Sequence, residues 1–363
     1  MTRHHCRTIY TGVLLLLLLI FLASSLRTSR PQYIFDTHEH IQGLAQAEML
    51  LAADETTGIQ KTLLLPSPIE TLTLNGNKSF TGYKENTDEI FRIAEKYPNR
   101  FIPLCTVSPM DPNAAEYLQE CIKKGGKALK LYNGHSYYHE VFKLPLDTPR
   151  MKPIYAFAEN NKIPVLYHIN IINYGQELEK ILKAYPNLVM SVPHYMVSSV
   201  ELEKVAQLLD KYPNLYTDIS FGSPEFMAAG FRRISQDPGK FAKFFNDYQD
   251  RILFGTDMVL TDNASKDQAY MEEVLTCYKN LLEERRFTCG AVSSYYEQAL
   301  MDNKNSYNDC APKEGGYCES LKKKTEIYQQ RFEEITGLNG LGLSDSVLSK
   351  VYWENAVRFL EAN

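Results

Sequence analysis

The run Asp36-Thr37-His38-Glu39-His40 sets two imidazoles two positions apart. Side chains alternate along an extended strand, so His38 and His40 share one face and Glu39 takes the other. Two imidazoles on one side suit a single metal ion, although a pair spaced this way also arises as ordinary surface polarity. The remaining histidines decide between these readings. Of the eight in the chain, His4 and His5 fall in an N-terminal leader, and four of the other six (His38, His40, His168, His194) stand at the ends of expected strands. Asp257 ends another such strand. Three histidines and one carboxylate form a borderline nitrogen and oxygen donor set, suited to one Zn2+ with a position open to water, with Mn2+ and Fe2+ as alternatives.

The elements that must carry these residues follow from periodicity. From Tyr33 onward, short apolar runs alternate with helical patterns, the signature of strand-helix units and a parallel sheet. Eight strands are expected: Tyr33 to Thr37, Lys61 to Leu65, Phe101 to Val107, Ala128 to Tyr132, Ile163 to His168, Leu188 to Pro193, Leu215 to Asp218 and Ile252 to Thr256. Between them lie amphipathic stretches such as Asn86 to Tyr97, and Tyr-Pro-Asn at 97, 185 and 212 ends a helix and launches a strand each time. Eight strands with intervening helices predict an α/β fold, a closed (β/α)8 TIM barrel. An open doubly wound sheet is the alternative, but the glycine-rich dinucleotide fingerprint it often carries is absent. In a barrel, His168, His194 and Asp257 all reach the C-terminal rim where active sites assemble.

The motifs in order are Asp-Thr-His-Glu-His at 36–40, Gly-Lys-Ala-Leu-Lys-Leu at 126–131, Val-Leu-Tyr-His at 165–168, Val-Pro-His at 192–194, Phe-Gly-Thr-Asp at 254–257 and Glu-Asn-Ala-Val-Arg-Phe-Leu at 354–360. In combination they resemble the amidohydrolase superfamily, in its amidohydrolase-related branch of aminocarboxymuconate-semialdehyde and resorcylate-type decarboxylases and dicarboxylate lactonases. The resemblance implies that His38, His40, His168 and Asp257 bind the metal and that His194 serves as a nearby acid or base, with Asp257 also catalytic. It implies a metal-dependent hydrolase of an ester, lactone or amide, or a non-oxidative decarboxylase of a small carboxylated substrate, working through metal-activated water. Lys130 stands where other branches use a carbamylated lysine to bridge two ions; here a substrate-anchoring or structural role is expected. Tyr132 is a second substrate-facing candidate, while His135 and His139 read as surface histidines. Met258-Val259-Leu260 and Tyr195-Met196-Val197-Ser198 depart from the family pattern beside the substrate pocket.

Composition sets the outer limits. With 363 residues and 44% hydrophobic content the chain can bury one large core, and 39 basic against 44 acidic residues leave no surplus for a phosphate backbone, so nucleic acid is not an expected partner. A small-molecule substrate is. Arg3 and Arg7 precede an apolar run, and Thr11 to Leu26 spans 16 residues, so 1–30 reads as a signal peptide or a membrane anchor, with Ala23-Ser24-Ser25 as a cleavage site. The rest, 31–363, reads as the barrel, with a disulfide-bearing helical insertion after strand eight at about 261–346. Cys277, Cys289, Cys310 and Cys318 suit an oxidising, periplasmic or secreted location, Cys310 with Cys318 being the expected pair; Cys105 and Cys121 read as buried thiols. Oligomerisation is left open. A non-catalytic extracytoplasmic binding protein on the same barrel is the alternative function.

Overall fold

A computed structural model describes residues 33–73, 79–308, 316–335 and 337–361. The leader expected over 1–30 lies outside them, and among the described residues no helix is long and apolar enough to cross a membrane. All eight expected strands form: β1 (Ile34–Ile41), β2 (Ile59–Leu65), β3 (Phe101–Pro103 and Cys105–Thr106), β4 (Leu129–Gly134), β5 (Val165–Ile169), β6 (Met190–Ser191), β7 (Leu215–Asp218) and β8 (Ile252–Leu253, resuming at Val259–Leu260). Every neighbouring pair is parallel. The two split strands serve one neighbour with each piece: Phe101–Pro103 joins β2 and Cys105–Thr106 joins β4, while Ile252–Leu253 joins β7 and Val259–Leu260 joins β1. That last pairing closes the ring.

Each strand is followed by a helix on the outside: α1 (Leu44–Thr57), α2 (Tyr83–Lys96), α3 (Ala114–Lys123), α4 (Lys152–Asn160), α5 (Ile171–Ala184), α6 (Leu202–Lys211), α7 (Pro224–Gln236) and α8 (Gln268–Glu283). Their apolar stripes make the outer core. In α2 the buried set Tyr83, Asn86, Thr87, Ile90 and Ile93 follows helical spacing. The repeated Tyr-Pro-Asn has a shared use, since the hydroxyls of Tyr97, Tyr185 and Tyr212 each donate to the preceding helix: to Glu48 (3.1 Å), to the Lys152 carbonyl (3.3 Å) and to Glu179 (2.9 Å).

β1 runs past its expected end at Thr37 because the resumed β8 pairs with it, the His40 amide donating to Met258 O and the Gln42 amide to Leu260 O. It also carries a bulge. Asp36 pairs with Thr62 and Glu39 with Leu64, three steps on β1 against two on β2. The extra residue reverses which alternate side chains face the barrel axis. Below the bulge Phe35 points in, joining Leu63, Leu104, Ala128, Leu166, Tyr216 and Leu253 in an apolar layer. Above it His38 and His40 point in, their ring centroids 5.3 Å apart. The Asp36 carboxylate holds this step by accepting the His38 amide at 2.9 Å.

The bottom of the barrel is sealed by α11 (Asn355–Leu360), the expected closing helix, whose Ala356 and Phe359 complete the apolar layer. Asn355 Nδ2 donates to the carbonyls of Gln249 (2.7 Å) and Ile252 (2.8 Å), a structural role. The chain after β8 divides in two. α8 packs along α1 as the eighth barrel helix; beyond it an antiparallel stem, Arg286–Phe287 with Leu338–Asn339, carries a helical pair, α9 (Gly290–Asn308) and α10 (Gly316–Ile335), beside α7 and α8.

Two disulfides tie these parts. Cys277–Cys289 joins α8 to the start of α9. Cys105–Cys121 joins β3 to α3, which corrects the expectation of two free buried thiols. The reason is geometric: strand and helix of one unit lie face to face, bringing the Cα atoms to 6.0 Å, and apolar surroundings suit a disulfide as well as a thiol. Cys318 is also disulfide-bonded, and Cys310, its expected partner, lies outside the described residues.

Candidate metal centre

The strand ends bring the expected residues to one place. His38 Nε2 lies 3.2 Å and His40 Nε2 3.1 Å from Asp257 Oδ1, and His194 Nε2 lies 3.5 Å from Asp257 Oδ2. His38, His194 and Asp257 form the tightest group, with ligand atoms all within 4.8 Å of one another. His168 packs its ring beside His194, the centroids 4.7 Å apart. The cluster opens to solvent at Asp257 and His194, whose side chains are 13% and 9% exposed, and at His168, which is half-buried.

The ring partners fix which nitrogen of His38 and of His194 carries the proton. Asp218 Oδ2 can only accept, so His38 Nδ1–H donates to it at 2.7 Å. His40 is held between the Ser67 hydroxyl, 2.7 Å from its Nδ1, and Asp257 Oδ1, 3.1 Å from its Nε2. Ser220 gives its proton to Asp218, so its hydroxyl oxygen (2.8 Å) and its carbonyl (3.1 Å) accept from His194 Nδ1–H. Burial, then the Lys130 charge, lowers His38 to about 4, and burial lowers His40 as well, so both rings are neutral at pH 7. With their Nδ1 protons held by Asp218 and Ser220, His38 and His194 turn Nε2 toward the Asp257 carboxylate.

Acceptors facing acceptors at this spacing repel unless a cation lies between them. Imidazole nitrogens with a carboxylate oxygen are the donor set of a divalent transition metal, so the residues present fit such an ion. A cation already at hand is Lys130, fully buried, with Nζ 3.0 Å from His38 Nε2 and 5.1 Å over the Tyr132 ring. Burial lowers it to about 8. Tyr132 packs its ring 5.9 Å from that of His40 and donates its hydroxyl to the Pro66 carbonyl at 2.6 Å, so it walls the site with its phenol proton already committed.

The backbone around the cluster is strained where it presents ligands. His194, Tyr195, Met196 and Val197 all take left-handed φ, at 60°, 51°, 58° and 56°, and Asp257 takes 58°. Each non-glycine residue in that region costs roughly 1–2 kcal/mol, which local bonds must offset. Asp218 Oδ1 accepts the His194 amide at 2.8 Å, and the Asp257 amide donates to His38 O at 2.7 Å. Gly222, at φ 75°, leaves room for this arrangement, since a Cβ there would stand 2.6 Å from Asp257 Oδ2.

Sequence reasoning missed Asp218, Ser220 and Ser67. Asp218 carried a signal: it ends the seventh expected strand, as Asp257 follows the eighth. The two serines carried none. His135, expected at the surface, instead packs its ring 4.5 Å from that of His168. Its Nδ1 accepts the Tyr137 amide at 3.1 Å, capping the helix Ser136–Phe142, and burial, then His194, lowers it to about 4. His139 stays clear of the cluster, stacked on Tyr174 at 3.9 Å.

Residues 36–283 match the amidohydrolase family model. The chain belongs to the amidohydrolase family. It is accordingly an enzyme of the metal-dependent hydrolase or lyase kind that this family comprises. Among solved structures it resembles an uncharacterised TIM-barrel protein of Bordetella bronchiseptica, at 16% identity over 91% of this chain and 99% of that one, with a TM-score of 0.53. It also resembles an amidohydrolase of Burkholderia multivorans crystallised with bound HEPES, at 10% identity over 90% and 99% of the two chains, with a TM-score of 0.51. Both likenesses bear on the barrel fold. No curated protein matches the sequence.

Proposed function

We propose that this amidohydrolase hydrolyses a small ester, lactone or amide with one Zn2+ held by His38, His40, His168 and Asp257, with Mn2+ or Fe2+ as alternatives. The observation that carries the reading is the convergence of the Nε2 atoms of His38, His40 and His194 on the Asp257 carboxylate, at 3.2, 3.1 and 3.5 Å. A divalent ion bound there supplies Lewis acidity toward a carbonyl and toward water. His194 is the proton carrier: its Nδ1–H is committed to Ser220, so Nε2 is free to accept a proton and to return it to the leaving group. Asp257 orients reactants by its second oxygen, Oδ2, which lies toward His194. Lys130 meets an anionic group of the substrate, and the Tyr132 ring forms the adjoining wall. The buried Lys130 charge also supports a second reading, loss of carbon dioxide from a small carboxylated substrate, because a cation at that depth offers a seat for a carboxylate.

The leader and the disulfides together support an extracytoplasmic location, secreted or anchored by the N-terminal segment. A metal-loaded protein screened against lactones, amides and aromatic carboxylic acids tests the activity, with His194→Asn as the control. The account expects turnover of at least one class by the native protein, and in the variant retained metal with turnover lowered by about 100-fold or more. Equal turnover in the two would contradict the role given to His194.

A further inference from the structure

Asp218 is a second carboxylate that touches the site from two sides. It is completely buried at the end of β7, and its two oxygens have separate work. Oδ2 accepts from His38 Nδ1–H at 2.7 Å. Oδ1 accepts three donors: the amide of His194 (2.8 Å), the amide of Ser220 (3.1 Å) and the hydroxyl of Ser220 (2.6 Å). One side chain thus sets the tautomer of a histidine on β1 and pins the left-handed turn that presents His194.

We propose that Asp218 is a positioning residue for the metal centre, keeping the proton of His38 on Nδ1 so that Nε2 stays open to a divalent cation. The inference rests on the metal-centre reading above and adds a residue to it. A hydrogen bond to the ring nitrogen remote from the metal is the usual way a protein orients an imidazole ligand, and its loss typically weakens metal affinity 10–100-fold.

The arrangement makes an unusual variant informative. In Asp218→Asn the amide has one acceptor and one donor end. Two backbone N–H groups converge on the Oδ1 position and cannot be reversed, so the amide oxygen must stay there and the NH2 must face His38 Nδ1. A donor at that point drives the His38 proton to Nε2 and closes the lone pair toward the cluster. Asp218→Ala imposes no such reversal, since it leaves His38 free to choose either tautomer. The near-isosteric variant should therefore bind metal worse than the truncation, the opposite of the order that packing alone dictates.

The test is a Zn2+ titration of metal-stripped native, Asp218→Asn and Asp218→Ala proteins against a competing chelator, with melting of the metal-free forms alongside. The expected result is affinity falling about 10–100-fold in Asp218→Asn and less in Asp218→Ala, with the metal-free asparagine form melting close to the native one. Native affinity in Asp218→Asn overturns the proposal while leaving the metal centre standing. If the native protein itself binds no Zn2+, or the variants do not fold, the 15N shifts of His38 in the native protein decide: a protonated Nδ1 and bare Nε2 support the role, and the reverse pattern overturns it.

Discussion

The two ends of this barrel are built from opposite materials. At the bottom, Phe35, Leu63, Leu104, Leu166 and Leu253 meet Phe359 of the closing helix in an apolar layer. At the top, one bulge further along β1, the buried groups are His38, His40, Lys130, Asp218 and Asp257, with His194 presented beside them by a left-handed turn of four ordinary residues. The lower layer gains from burial alone, roughly 25 cal/mol for each Å2 removed from water. The upper one keeps neutral imidazoles against a carboxylate, an arrangement that a cation completes. The difference teaches that stability and chemistry occupy separate layers of one closed sheet, so a change in either should leave the other measurable.

Phe359→Ala is the sharpest way to break that separation. The ring is fully buried 5.6 Å from Tyr216, so truncation should lower unfolding free energy by about 3–5 kcal/mol in denaturant titration, with Zn2+ affinity of the folded fraction unchanged. A loss of affinity would show the two layers to be coupled. Replacing Cys105 and Cys121 together by serine opens a link spanning 16 positions on the outer side of β3 and should cost about 3 kcal/mol by the same measurement, again without touching the metal. Gly222→Ala attacks the top instead. A Cβ 2.6 Å from Asp257 Oδ2 on a left-handed backbone should cost roughly 1–2 kcal/mol of stability while displacing the carboxylate, so calorimetry should find metal affinity reduced far more than the stability change implies.

The smallest effect has the opposite sign. Asp54, on the buried face of α1 against Thr62 of β2, has its carboxyl raised well above the ordinary range by burial, and its Oδ1 has no hydrogen-bond partner among the described residues. A raised folded value means that the group's contribution is whole below the unfolded value of about 3.9 and is lost as pH rises through the folded one. Asp54→Asn should therefore match the native protein near pH 4 and exceed it by about 1 kcal/mol at pH 8. No difference at pH 8 would mean that the carboxylate is satisfied in a way that burial does not convey.

Much of this was legible in the residues themselves. Apolar runs of the right length at the right intervals gave the eight strands, and histidines at strand ends gave the rim, because both depend on local periodicity. The missed features depend on partners distant in sequence. β1 extends to Ile41 only because the resumed β8 reaches it, and the bulge that turns His38 and His40 inward is a register shift against β2, which a single strand does not reveal. The left-handed run from His194 to Val197 carries no glycine or asparagine to announce it. Cys105 and Cys121 sit among apolar neighbours that fit a thiol and a disulfide equally. Asp218 alone was within reach, since the rule applied to Asp257 places it on the same rim.

The central claim is that the upper layer is a metal centre. Thermal unfolding of metal-stripped protein against free Zn2+ addresses it directly, since an ion that binds only the native state stabilises by about 2.7 kcal/mol at one hundred times its dissociation constant. The account predicts one bound ion per chain and a melting temperature that climbs with Zn2+ in the native protein, with no climb in His38→Ala or Asp257→Ala. A native protein that takes up no ion and melts at the same temperature with Zn2+, Mn2+ or Fe2+ would contradict it.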